Sequence, residues 1–124
     1  MNTFFAETGA GTRYHVYASA FFCGSDLNVS VCGGSHGHIG AVSLAVYEPE
    51  RDSATVSTVT VHTHRDDRVS AAAAKRLSRA LHCTVSVSAG VHIDAPTPSE
   101  LETLLKNCET CLAELEHSLI SFLG

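Results

Sequence analysis

Through the first half of the chain, apolar and polar residues alternate in short runs separated by turn residues. Over 13–22, Tyr14, Val16, Ala18 and Ala20 fall on one side and Arg13, His15, Tyr17 and Ser19 on the other, the period of a half-buried strand. Gly24-Ser25-Asp26 turns the chain, and 27–32 alternates again through Leu27, Val29 and Val31, which predicts an antiparallel hairpin. A third apolar strand runs over 39–47, and Pro49 to Ser53 forms a second turn. The stretch 54–61 has the Thr and Val content of a strand, but its alternation slips between Val56 and Val59, which suggests a bulge. Residues 1–12 are polar and glycine-dotted around Phe4 and Phe5 and carry no strand pattern.

The period then changes. Val69, Ala73, Leu77, Ala80 and Leu81 recur at helical spacing, predicting a helix over 67–82 with Asp66 or Asp67 as N-cap. The stretch 84–93 is the cleanest strand, with Val85, Val87, Ala89, Val91 and Ile93 facing in and Ser86, Ser88, Gly90 and His92 facing out. After Asp94, Thr97 as N-cap, Pro98 at the first helical position and Glu100 three residues on form a capping box. The helix they open carries an apolar stripe of Leu101, Leu104, Leu105, Cys108, Leu112, Leu115, Leu119 and Phe122. Four strands, a helix, a strand and a helix argue one α+β domain over 1–124, with a mainly antiparallel sheet of about five strands and both helices on one side.

One segment fits no element. In 33–38, which reads Gly33-Gly34-Ser35-His36-Gly37-His38, glycines allow positive φ and close approach to a ligand, and two imidazoles supply donors, acceptors or metal ligands. A tight hairpin needs only two residues, so this is either a functional loop or a glycine-rich connector.

Charge narrows the partners. Eight Lys and Arg against thirteen Asp and Glu give a net charge of −5, which leaves no basic footprint for nucleic acid or an anionic membrane. The first residues lack the pattern of a signal peptide and no apolar run reaches membrane-spanning length, so a cytoplasmic protein is expected. Five cysteines without scaffold spacing are expected to be reduced.

Three chemistries deserve comparison. The pairs His36/His38 and His62/His64, with His92 and with Asp66 or Asp94, could assemble a zinc site, as in a metal-dependent hydrolase, though the spacing matches no established signature. The glycine loop could cradle a phosphate with His36 and His38, but it leads into a strand rather than the helix that an ATP or NAD site uses. Cys108 and Cys111 have redox-pair spacing, yet they lie in mid-helix, where packing is their expected role.

Three motifs in order carry a resemblance. They are Gly33-Gly34 with His38-Ile39-Gly40-Ala41-Val42, then the His-x-His-Arg-Asp-Asp run at 62–67, then Ala89-Gly90-Val91-His92-Ile93-Asp94. Over about 13–120 the chain resembles the LpdD-like prenylated-flavin chaperones, D subunits of UbiD-type hydroxyarylic acid decarboxylases, whose domain is similar to proteasome assembly chaperones. The resemblance implies a non-enzymatic protein that binds prenylated FMN, or FMN, and assists its transfer to the decarboxylase or that enzyme's maturation. A UbiX-type prenyltransferase is a second implied partner, and a homodimer the implied assembly. The implied ligand residues are Gly33, Gly34, His38, Ile39 and Gly40, with His64, Asp66 and Asp67, and Gly90, His92 and Asp94; His36 is an additional imidazole before the family's histidine. Apolar Phe4, Phe5, Phe21, Phe22 and the second face of the sheet are the expected dimer surface.

Overall fold

The computed structural model describes residues 2–61 and 66–124. In chain order the elements are β1 (Thr3–Thr8), β2 (Val16–Cys23), β3 (Asp26–Gly34), β4 (Ala41–Glu48), β5 (Ser53–Thr60), α1 (Asp67–Leu81), β6 (Val85–His92) and α2 (Pro98–Leu123). They form one open sheet in the order β1-β2-β3-β6-β4-β5, antiparallel at every pairing except β3 with β6. This is the expected α+β architecture with six strands instead of five.

The additional strand is β1. Its apolar positions are sparse because it lies at the sheet edge, where pairing with β2 from Thr3–Phe21 to Thr8–Val16 holds it. Two other expectations change. The register of β4 with β5 runs unbroken from Glu48–Ser53 to Ala41–Thr60, so the slip at 56–59 is not a bulge. Val59 simply faces away from the helices on the opposite edge strand, where it is exposed. Gly33 and Gly34 belong to β3, and β4 starts only at Ala41, so the connecting loop is 35–40.

Both helices cover one face of the sheet, as the order of elements predicted. α1 packs on β4, β5 and β6, and α2 on β1 and β2. Between them lie Val16, Ala18, Val31, Val85, Val87 and Ala89, the residues that alternation places inward, sealed by Leu77, Leu115 and Leu119. Three buried serines are satisfied locally, as buried hydroxyls must be. Ser43 Oγ meets Ser70 Oγ at 2.7 Å and Thr58 Oγ1 at 2.8 Å, and Ser78 Oγ donates to the Cys83 carbonyl at 2.7 Å. Ala80, expected in the α1 stripe, is exposed. Among the described residues no helix is long and apolar enough to cross a membrane.

The four phenylalanines of the expected dimer surface divide. Phe4 and Phe22 pack on the helix side against Phe122, with ring centroids 5.0 and 6.0 Å from it. Phe5 and Phe21 are exposed and, by the strand register, lie on the other face.

Cys108 and Cys111 face the core. Burial pushes the Cys108 thiol up to about 12 and the Cys111 thiol up to about 11, and Cys111 Sγ donates to the Ala6 carbonyl at 3.4 Å, joining α2 to β1. Neither thiol ionises near neutral pH, which removes the nucleophile that redox chemistry needs. Replacing both by alanine is expected to cost about 1–3 kcal/mol in chemical denaturation and leave ligand binding intact. In the folded protein at pH 8, an alkylating reagent should reach exposed Cys23 and spare this pair.

Candidate functional site

Strand direction brings the described parts of the three sequence motifs to one end of the sheet. β6 is parallel to β3, and β5, antiparallel to β4, runs the same way as β6. All three carboxyl ends therefore lie at one end of the sheet, and they feed loop 35–40, the segment before α1, and the 93–97 loop before α2. Ligand sites in open sheets favour that end, where irregular backbone meets helix starts.

Because β6 lies between β3 and β4, loop 35–40 must cross the end of β6. The crossing is held by backbone bonds from Ser35 N–H to the His92 carbonyl at 2.6 Å and from Gly40 N–H to the Ala89 carbonyl at 2.8 Å. It is possible because of two glycines. A Cβ on Gly90 would collide with the His38 carbonyl, and one on Gly34, whose φ is +78°, would collide with the His92 carbonyl.

The loop thus presents imidazoles beside the end of β6. Ring centroids of His36 and His92 lie 5.2 Å apart, those of His36 and His38 5.7 Å, and those of His38 and His92 6.4 Å. Two carboxylates hold two of the three rings. Asp94 Oδ1 accepts from His92 Nε2 at 2.8 Å on the exposed side, and Asp66 Oδ2 accepts from His38 Nε2 at 3.2 Å in the interior.

Asp66 has a different job from the one predicted. It stands at the N-cap position of α1, but with helical φ −67° and ψ −11° its side chain makes no capping bond. Its other oxygen, Oδ1, accepts instead from the Val91 N–H at 2.8 Å, a donor on β6 beyond the last residue paired with β4. One carboxylate, 5% exposed, therefore completes the sheet and orients an imidazole.

Beside the trio, a cavity of about 550 Å³ opens between α1, the end of β6 and α2. Val69, Val91, Ile93, Leu101, Leu104 and Leu105 give it apolar walls, and Asp66, Arg68 and His92 stand among its polar lining. The first turn of α2 is anchored next to it. The Glu100 carboxyl is held below its usual range by the Thr97 N–H and the Tyr14 hydroxyl, and Arg13 pairs with it at 3.3 Å while donating to the Asp94 carbonyl at 3.2 Å. The predicted capping box is present, with both its bonds.

Of the residues singled out in the sequence, His36, His38, Asp66, His92 and Asp94 assemble into one cluster, with Gly34, Gly40 and Gly90 shaping the backbone around it. Gly33 lies within β3, packed closely against the His15 carbonyl. Ile39 projects to solvent, and Asp67 is the first residue of α1. His62 and His64, on which the zinc reading depends, lie outside the described residues. Among the described residues no three of His, Cys, Asp and Glu are placed to hold a metal ion. The cavity walls have no direct signal in the sequence, although Leu101 and Leu105 beside Leu104 make the stripe wider at the start of α2 than a single face requires.

Together the fold and site define a small sheet-and-helix domain with a polar cradle and an apolar cavity at one end of its strands. The chain belongs to the prenylated flavin chaperone LpdD-like domain family, whose sequence profile matches residues 10–120. It is similar to protein LpdD of Lactiplantibacillus plantarum, with 28% identity over 101 residues, 82% of this chain and 72% of that protein. In structure it is similar to a chain of a chaperone complex for yeast 20S proteasome assembly, with a TM-score of 0.60, 14% identity and full coverage of both chains. That likeness establishes the proteasome-assembly-chaperone-like fold.

Proposed function

We propose that this chain is a non-catalytic chaperone that binds prenylated FMN, and FMN more weakly, and assists its delivery to a UbiD-type hydroxyarylic acid decarboxylase or that enzyme's maturation. A UbiX-type prenyltransferase is the source of the cofactor in this reading. The observation that carries it is the convergence of the His36, His38 and His92 rings with an apolar cavity, in a chain of the prenylated flavin chaperone family. The donor set fits such a ligand. Imidazoles and loop amides can hydrogen-bond a phosphate or ring carbonyls, and the cavity can take the apolar rings. When bound, the flavin supplies the electron sink for decarboxylation in the partner enzyme. Turnover by this chain itself is not expected, because among the described residues the short loops at this end of the sheet leave little wall to place an acid or base over a substrate.

Anaerobic calorimetry with reduced prenylated FMN and with FMN tests the reading. Binding is expected, and His38→Ala should weaken it by about 1–3 kcal/mol without unfolding the domain. The reading fails if neither flavin binds and the purified protein instead carries stoichiometric zinc that is lost in a His62 and His64 double substitution.

The assembly proposed is a homodimer through the sheet face that the helices leave bare. By the strand register, its central rows are Tyr17, Ser19 and Phe21, Asn28, Ser30 and Cys32, Ser86 and Ser88, Val42, Leu44 and Val46, with Val59 on β5; the charged residues of this face, Glu7, Asp26 and Glu48, stand at its margins. At about 4.8 Å between strands, six strands over a paired length of about 17 Å present about 500 Å² per copy. Two such faces reach the total of about 1,000 Å² that a specific interface needs. Light scattering at micromolar concentration should report a dimer, and Leu44→Lys, a charge placed at the middle of β4, a monomer.

A further inference from the structure

We infer that the cavity between α1, the end of β6 and the start of α2 is a specificity pocket for the extra hydrocarbon ring of prenylated FMN, so that the protein selects the prenylated flavin over FMN. The inference rests on the flavin reading above and adds to it where selectivity resides.

The polar cradle cannot discriminate. FMN and its prenylated form share the phosphate, the ribityl hydroxyls and the pyrimidine edge, so every bond that His36, His38 or a loop amide offers one it offers the other. Only an apolar surface can tell them apart. The cavity supplies that surface next to the cradle, because Asp66 and His92 belong to both. Its volume of about 550 Å³ lies within the usual range for small-molecule sites.

Two leucines mark where the hydrocarbon goes. Leu101 and Leu105 lie one turn apart on the apolar stripe of α2, yet they are 45% and 40% exposed, whereas Leu104 between them is buried. The sheet covers one flank of the stripe and leaves these two lining the cavity with Val91 and Ile93. Two other cavities, of about 510 and 600 Å³, share no residue with the histidine cluster, so neither can add to a ligand held there. Burying roughly three further carbons at about 0.8 kcal/mol each corresponds to an affinity ratio of about 50.

The test is the ratio of the dissociation constants of reduced FMN and reduced prenylated FMN, both measured anaerobically in one preparation so that the two ligands differ only in the added ring. Wild type should give a ratio of about 50, and Leu101→Asn/Leu105→Asn, which keeps the branching of the side chain while making its end polar, should bring it close to one. A ratio within the same protein is insensitive to the fraction folded. Leu105→Asn alone serves should the pair not fold, with an intermediate ratio expected. Ile120→Asn/Leu123→Asn, at similarly exposed positions at the far end of α2, should keep the wild-type ratio. Equal affinities in wild type overturn the inference and leave the flavin reading standing. A high ratio that survives in the Leu101 and Leu105 variants overturns the placement in this cavity. Binding of neither flavin overturns the reading on which the inference rests.

Discussion

Gly90→Ala is expected to abolish flavin binding and to destabilise the domain by about 2–4 kcal/mol, more than its single added methyl suggests. The added Cβ would occupy the place of the His38 carbonyl, and His38 Cγ lies only 3.0 Å from the same point. Overpacking ordinarily costs about 1–3 kcal/mol, but here the obstacle is backbone that is itself bonded into the sheet. Two responses are open. The loop can lift away, losing the Gly40 N–H bond to the Ala89 carbonyl and separating His38 from Asp66, or β6 can shift and strain its pairing on both sides. Either response scatters the imidazole trio. Gly24→Ala is the matched control: its φ is +62° with nothing within 4 Å, so it should cost only about 1–2 kcal/mol of conformational strain and leave binding unchanged. Denaturation and calorimetry on the two variants separate a steric block at the site from the general cost of replacing a glycine.

The same residue shows how far the sequence could be read. The alternation of 84–93 places Gly90 on the outward row of a strand, and that is correct. Nothing local says that another segment lies on it, because that follows from β6 entering between β3 and β4, a pairing between distant parts of the chain. Strands that alternate strongly, such as β3 and β6, and the capped helix α2 are legible because burial on one face forces the pattern. Edge strands are less so: β1 lacks the pattern of a strand and β5 mimics a bulge, since an edge residue such as Val59 can be apolar and still face solvent. Periodicity likewise shows which side of α2 is apolar but not what covers it. Leu119 meets the sheet and Leu105 an open cavity, although both fit the same stripe. The site residues were legible as chemistry, since glycines and histidines clustered at strand ends, whereas their convergence required the strand order.

Asp66 carries the other large expected effect. Asp66→Ala should lower stability by about 2–4 kcal/mol, since it removes the acceptor for the Val91 N–H at 2.8 Å and the carboxylate that His38 donates to at 3.2 Å, both around a nearly buried position. Asp66→Asn separates these two roles. Its amide oxygen can still accept from Val91, so the end of β6 stays closed and the stability loss should be about 1 kcal/mol. Its amide nitrogen then faces His38 Nε2. With the aspartate, Nε2 must carry the proton, because a carboxylate only accepts; with the amide as donor, Nε2 must be the bare nitrogen and the proton moves to Nδ1. The ring therefore keeps its place while exchanging donor for acceptor on each side, and binding should fall by about tenfold in a variant that remains folded, the loss of about one hydrogen bond. Nitrogen chemical shifts of the His38 ring report the tautomer directly. A folded Asp66→Asn protein with the switched tautomer and undiminished affinity would show that His38 contributes no hydrogen bond to the ligand. Unchanged stability in Asp66→Ala would show that the Val91 N–H finds its acceptor elsewhere.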